Sequence, residues 1–369
     1  MGAVLLFCAV FPSAQAGNAP SLRSLIEETF DAKLSHKAFF EEDDAGSSVC
    51  DWIALAMGRY GIVYENSERK YYYDAPLTQY ADAAEKYLRE FYESSGVSSG
   101  VKLTDYFRTA IALTALGRDV SDIIRAASLN NPKSVSKLAV LTVSYGLVCL
   151  ELTGVEEDEE TVHTRREFIE RLVSLRHDDG GWSLTPGESD VDVTSMVLQG
   201  LAPFYRKGSF GVEPVVEKAL AFLSTRQRSS GDFVSYGTFN AESTAQVIVA
   251  LTQLGIDVLS DSRFIKENGN ALDGLLLYRL EDGSFTHSFT SDPENTSAVP
   301  GSYNYLATDQ AAYALVALWR QQAGLRPLYD MCPDITGISK NTSDTIINRM
   351  IELIRMIVLS IASKFSFIK

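Results

Sequence analysis

Cysteine and histidine are scarce, four of each in 369 residues. The cysteines, Cys8, Cys50, Cys149 and Cys332, are too far apart for a disulfide framework or a zinc cluster. The histidines are His36, His163, His177 and His287, and none falls in the most apolar helical segments, so no metal site is expected. Basic charge is short as well: 33 Lys and Arg stand against 48 Asp and Glu, a formal charge of −15. Phosphate backbones are held by clustered cations, so a nucleic-acid partner is excluded. No glycine-rich phosphate loop or nucleophile elbow occurs, and no cofactor is implied.

Long apolar runs are missing too. The N-terminal stretch Ala3–Phe11 is too short to span a bilayer. Pro12 ends it, and Ala14 and Ala16 fit a signal-peptidase site, although no Lys or Arg precedes the stretch. We therefore expect residues 1–16 to be a signal peptide cleaved after Ala16, and a secreted or cell-surface protein. A buried N-terminal helix is the alternative reading.

What the sequence has is repetition. Asp192-Val-Thr-Ser-Met-Val-Leu-Gln-Gly-Leu201, Glu242-Ser-Thr-Ala-Gln-Val-Ile-Val-Ala-Leu251 and Asp309-Gln-Ala-Ala-Tyr-Ala-Leu-Val-Ala-Leu318 align without gaps. Each is apolar on nearly every side, the pattern of a helix buried all round. Weaker copies lie at Cys50–Tyr60, Tyr106–Gly117 and Val140–Gly154. Six amphipathic segments alternate with them: Leu22–Leu34, Thr78–Tyr92, Val120–Leu129, Val162–Arg176, Val212–Arg226 and Ser262–Arg279. A second repeat precedes the last three inner helices: Arg176-His-Asp-Asp-Gly-Gly-Trp182, Arg226-Gln-Arg-Ser-Ser-Gly-Asp-Phe233 and Arg279-Leu-Glu-Asp-Gly-Ser-Phe285. Its glycine suits a tight turn, and the aromatic after it suits a wedge between hairpins.

The expected fold is all-α: an α/α toroid of about six outer and inner helical hairpins, an (α/α)6 barrel. It should occupy residues 17–323, with residues 324–369 forming a linker and an amphipathic C-terminal helix. The apolar stripe of that helix, Ile346–Lys369, is interrupted by Arg349, Glu352 and Arg355, so it should pack on the toroid, meet a partner or lie on a membrane surface.

The Gly-Gly-Trp182 turn followed by Asp190-Val-Asp192-Val-Thr-Ser resembles the prenyltransferase and squalene-oxidase repeat of the terpenoid cyclase and protein prenyltransferase superfamily. The resemblance is strong over roughly residues 162–322 and in phase over 21–155. It implies the toroid, and one chemistry in particular. Class II terpene (squalene–hopene) cyclases carry an Asp-x-Asp-Asp-Thr-Ala element whose middle acid protonates an alkene or epoxide. Here the element is Asp190-Val-Asp192-Val193-Thr194-Ser195, with Val193 in place of the third acid. The resemblance would make Asp192 the general acid, Asp190 its partner and Thr194 its hydrogen-bond support. The chain is about half the length of the two-domain cyclases, and export suits isoprenoid substrates badly. The zinc ligands of the prenyltransferase β subunits and the thioester of the complement branch have no counterpart.

Against that chemistry stands an architectural reading. Asp192, Glu242 and Asp309 recur at aligned helix starts, where a carboxylate caps backbone N–H groups and favours the helix dipole. The favoured function is then a non-catalytic, exported ligand-binding or surface module. The ring mouth should gather Asp190, Asp192, Glu242 and Asp309 with Trp182, Phe233, Tyr236, Phe239, Tyr303 and Tyr305. Such a mouth would hold a small amphipathic ligand, a peptide or a glycan. If Asp192 is an acid catalyst, it should face an enclosed apolar cavity and titrate well above a free Asp; if it is a cap, it should accept backbone N–H bonds and sit at a wet rim.

Overall fold

The computed structural model describes residues 21–36, 46, 48–61, 68–95 and 103–331. The signal peptide expected at 1–16, Cys332 and the C-terminal helix expected at 346–369 lie outside these residues. Among the described residues twelve α-helices follow in order: α1 (Leu22–His36), α2 (Ser48–Gly61), α3 (Glu68–Ser95), α4 (Leu103–Ala115), α5 (Ser121–Ala127), α6 (Val140–Thr153), α7 (Arg165–Ser174), α8 (Val191–Arg206), α9 (Glu213–Arg226), α10 (Ala241–Leu254), α11 (Ala271–Leu276) and α12 (Tyr305–Gln322).

The even-numbered helices form a closed inner ring: each packs on the next, and α12 packs on α2. The odd-numbered helices lie outside, α3 on α4, α5 and α7 on α6, α9 on α8, α11 on α10, and α1 on α12. This is the α/α toroid of six hairpins; eleven of the twelve expected segments coincide with helices, and the twelfth, Ser262–Arg279, is helical only over α11. Burial explains the apolar-all-round pattern. Every residue of α10 is buried, Glu242 and Gln246 included. The bore is crossed by Trp52, whose ring lies 6.1 Å from that of Tyr145 and 5.4 Å from that of Tyr313. Beside them a buried amide belt runs from Gln199 Nε2 to Gln246 Oε1 (2.9 Å) and from Gln246 Nε2 to Gln310 Oε1 (3.0 Å).

The glycine repeat does two jobs. Gly180, Gly231 and Gly283 have φ of 99°, 96° and 92°, which side chains on L-residues rarely adopt. Each also presses against a carbonyl of the next outer unit: Lys218 on α9, Asn270 ahead of α11, and Glu28 on α1. The last of these contacts helps to close the ring. The aromatics that follow, Trp182, Phe233 and Phe285, are wholly buried wedges. Each donates its backbone N–H to a threonine of the following inner helix: Trp182 to Thr194 (3.0 Å), Phe233 to Thr244 (3.1 Å) and Phe285 to Thr308 (3.0 Å).

These threonines correct the register of the sequence repeat. With Thr194, Thr244 and Thr308 equivalent, the helix caps are Asp190, Asn240 and Asn304, four residues earlier. Their side chains accept N–H groups from Val193 (3.0 Å), Ser243 (2.7 Å) and Ala307 (3.0 Å). Asp192, Glu242 and Asp309 are therefore not the caps. Asp192 and Glu242 sit two positions past the caps, where the third copy has Leu306, and Asp309 matches Ser195 and Ala245.

Two local features differ from expectation. The sixth outer segment is helical only over α11, because Asn270 caps the N–H groups of Leu272 and Asp273 and so starts the helix late. A hairpin, β1 (Phe233–Ser235) and β2 (Thr238–Asn240), stands before α10. The chain past Gly324 folds back on the ring, with Leu328, Tyr329 and Met331 buried.

Candidate active site at the ring mouth

The starts of α8 and α10, the β1–β2 hairpin and the long loop before α12 converge at one mouth. Asp190 is fixed twice, its Oδ1 by the Val193 N–H and its Oδ2 by the Ser235 hydroxyl. It caps α8, so Asp192 does not. Asp192 is partly exposed as a residue, but its Oδ1 is sealed from solvent and has no hydrogen-bond partner among the described residues. Burial and then the neighbouring Asp190, with a lesser push from Glu242, raise its carboxyl to about 8, against the opposing pulls of Ser243 and of His287. A carboxyl so placed is neutral below that pH and holds a transferable proton.

Next to it lies a clamp that sequence reasoning missed. His287 Nδ1 meets Glu242 Oε2 at 2.9 Å, and its Nε2 meets Asp292 Oδ2 at 2.8 Å. Burial draws the imidazole down, but the two carboxylates outweigh it and hold the ring charged up to about 9. His287 and Asp292 belong to the long loop between Phe285 and α12. That loop is visible in the sequence as an insertion, but nothing in its composition pairs His287 with Glu242, which precedes it by 45 residues.

Tyr236 stands at the hairpin tip. With Gly237 it forms a two-residue turn, φ 46° and 86°, a conformation that favours Asn-Gly and strains a tyrosine. Its ring is 58% exposed, so packing does not explain the choice. Burial of the hydroxyl and the nearby Asp190, Asp192 and Glu294 raise its pKa. Phe289, 56% exposed, stacks on Tyr278 in the same loop system.

The structure separates the other candidates from this cluster. Trp182 and Phe233 are wedges with no exposed face, and Trp182 Nε1 is committed to the Leu172 carbonyl (2.7 Å). Thr194 binds the Trp182 backbone, so it does not support Asp192. Phe239 alternates to the opposite face of the hairpin from Ser235 and lies under Arg228, 4.1 Å from its ring centroid. Asp309, Tyr303 and Tyr305 gather where α1 meets α12. There Lys33 pairs with Asp309 at 2.7 Å and lies over Tyr305, and Tyr303 stacks on His36 at 4.0 Å. No group of metal-ligating side chains forms among the described residues.

No protein-family model and no curated protein matches the sequence. Solved structures match at 13% identity. One is a polysaccharide lyase, TM-score 0.54, with 82% of this chain and 97% of that one covered. Another is an unsaturated glucuronyl hydrolase from Bacillus sp. GL1, TM-score 0.53, with 84% and 99% covered. A type II terpene cyclase from Scytonema aligns at TM-score 0.46, with 81% and 99% covered, too loosely to bear on chemistry. Identity this low speaks to the fold alone. The chain is an α/α toroid, the architecture it shares with the lyase and the hydrolase.

Proposed function

We propose that the mouth is an acid–base site acting on a glycan, with Asp192 as the proton donor. One observation carries this reading: Asp190 caps α8 and leaves Asp192 a neutral carboxyl with one sealed oxygen that has no hydrogen-bond partner among the described residues. Asp192 would protonate the glycosidic oxygen as its bond to the anomeric carbon breaks; the sugar then leaves as an alcohol, water adds at that carbon, and the proton the water sheds restores the Asp192 carboxyl. Asp190, held by Val193 and Ser235, maintains the field that keeps the proton in place. Tyr236 and Phe289 offer exposed ring faces on which a sugar can stack. The alternative of an isoprenoid substrate would need an apolar hollow below the acid. Here the bore holds the Gln199–Gln246–Gln310 belt and the Trp52 stack. The signal peptide read at residues 1–16 makes export to a glycan-bearing surface part of the same proposal.

A non-catalytic binding module would use the same mouth without moving the proton, and experiment separates the two. Carboxyl-resolved 13C NMR should show one group titrating near 8 that is missing from Asp192→Asn. Reducing-end release from a panel of acidic and neutral oligosaccharides should fall by about 100-fold or more in that variant. Oligosaccharide binding without turnover in either protein leaves the binding module. A carboxyl that titrates near 4 removes the acid.

A further inference from the structure

A separate cavity of about 560 Å³ opens at the far end of the ring, where α6, α8 and α10 finish. One wall is the returning segment 326–330. The Gln253 carbonyl oxygen of α10, in the orientation its neighbours require, accepts the N–H groups of Leu328 (2.7 Å) and Tyr329 (3.0 Å) and holds it there. Four carboxylates line the cavity, Glu151, Glu156, Glu157 and Asp330, and four cations line it with them, Arg165, Arg206, Lys207 and Arg326.

Three of the four are matched. Arg165 binds Glu151 at 2.7 Å, Lys207 binds Glu151 at 3.1 Å, and Arg326 binds Asp330 at 2.9 Å. Arg206 differs. It makes no hydrogen bond among the described residues, and its sole ion pair, to Asp330, is 3.6 Å long and shares an acid already held by Arg326. Its side chain is 27% exposed, so the planar fork is withdrawn from bulk water yet open to the cavity. Burial pulls its pKa below the usual arginine value. A guanidinium in this state gains most from a bidentate oxyanion.

A second, independent feature is Phe210 at the rim. It holds φ at 57° although it is not glycine, and its ring is 42% exposed. Phe204 meets it edge-on at 5.4 Å, and Arg166 lies 5.0 Å over its face. Backbone strain that keeps an aromatic half in water at a cavity edge points to a role outside folding.

We propose that this cavity is a second binding site, for a small organic anion with an apolar body. The carboxylate sits on Arg206 and the body lies against Phe204 and Phe210. The volume suits a molecule of that size. The carbonyl ends of α6 and α8 and the lining carboxylates oppose an anion, so its binding rests on Arg206, the one lining cation with no hydrogen bond among the described residues.

Titration calorimetry of the full chain with benzoate, and with benzyl alcohol as the uncharged comparison, tests the idea. Benzoate should bind below about 10 mM and benzyl alcohol about 10-fold more weakly. Arg206→Gln should weaken benzoate by about 10-fold or more. Phe210→Asn tolerates the positive φ, and should keep the fold by circular dichroism while weakening benzoate several-fold. It decides the matter if Arg206→Gln fails to fold. Asp192→Asn, at the opposite mouth, should leave benzoate affinity unchanged. Equal affinity for the two probes, no binding at 10 mM, unaltered affinity in folded Arg206→Gln or Phe210→Asn, or loss in Asp192→Asn would each overturn the proposal.

Discussion

At His287 two carboxylates share one imidazolium, and in the same cluster Asp192 keeps a proton that an ordinary aspartate would have lost. Both groups hold protons more tightly in the folded chain than in the unfolded one. Asp192 rises from 3.8 to about 8, and His287 from 6.5 to about 9. For a raised pKa the contribution to stability is full below the unfolded value and is lost as pH climbs through the folded one. The Asp192 contribution therefore drains between about pH 4 and 8, and that of His287 between about 6.5 and 9. Thermal unfolding should give a lower Tm at pH 9 than at pH 6, and Asp192→Asn should flatten the part of the fall below pH 8. A Tm that rises with pH would contradict both assignments. The sequence shows Asp192 as one acid of a recurring set. It does not show that Asp190 takes the cap, because Asp-x-Asp places two equally good caps two residues apart and only the backbone geometry chooses between them.

The repeated element is a turn, a wedge and an anchor: glycine, aromatic, threonine. Removing the anchor in Thr244→Val leaves the Phe233 N–H buried without an acceptor, which costs about 1–3 kcal/mol. Asn240→Ala removes the α10 cap and costs about 0.5–2 kcal/mol. Urea denaturation of the two variants tests both, and a Thr244→Val midpoint equal to wild type would dismiss the anchor. The hairpins were legible in the sequence because helical periodicity over a dozen residues survives single substitutions. The third copy's register was not, since the loop between Phe285 and Asn304 breaks the phase and Asp309 offers a false match to Asp192. The β1–β2 hairpin was hidden for a different reason: three-residue strands are too short for an alternating pattern to register.

At the scale of the molecule, the ring joins itself where α1 lies on α12. Lys33 and Asp309 are both buried there, and an ion pair in that setting is costly to break from one side. Lys33→Met should destabilise the chain by about 3–5 kcal/mol, and Lys33→Met combined with Asp309→Leu should recover most of that loss. Chemical unfolding of both variants checks this. An additive double variant would mean that the pair does not act as a unit.

The Gly283 turn against Glu28 gives that joint its character. Five of the six junctions between neighbouring inner helices are bridged by continuous chain, so their partners are tethered whatever the packing does. The sixth, from α12 to α2, has no such tether. The toroid is a belt, and its first and last outer units form the buckle: a fastening held by packing and by side-chain pairs such as Lys33–Asp309 rather than by chain, which sets how firmly the whole circle stays shut.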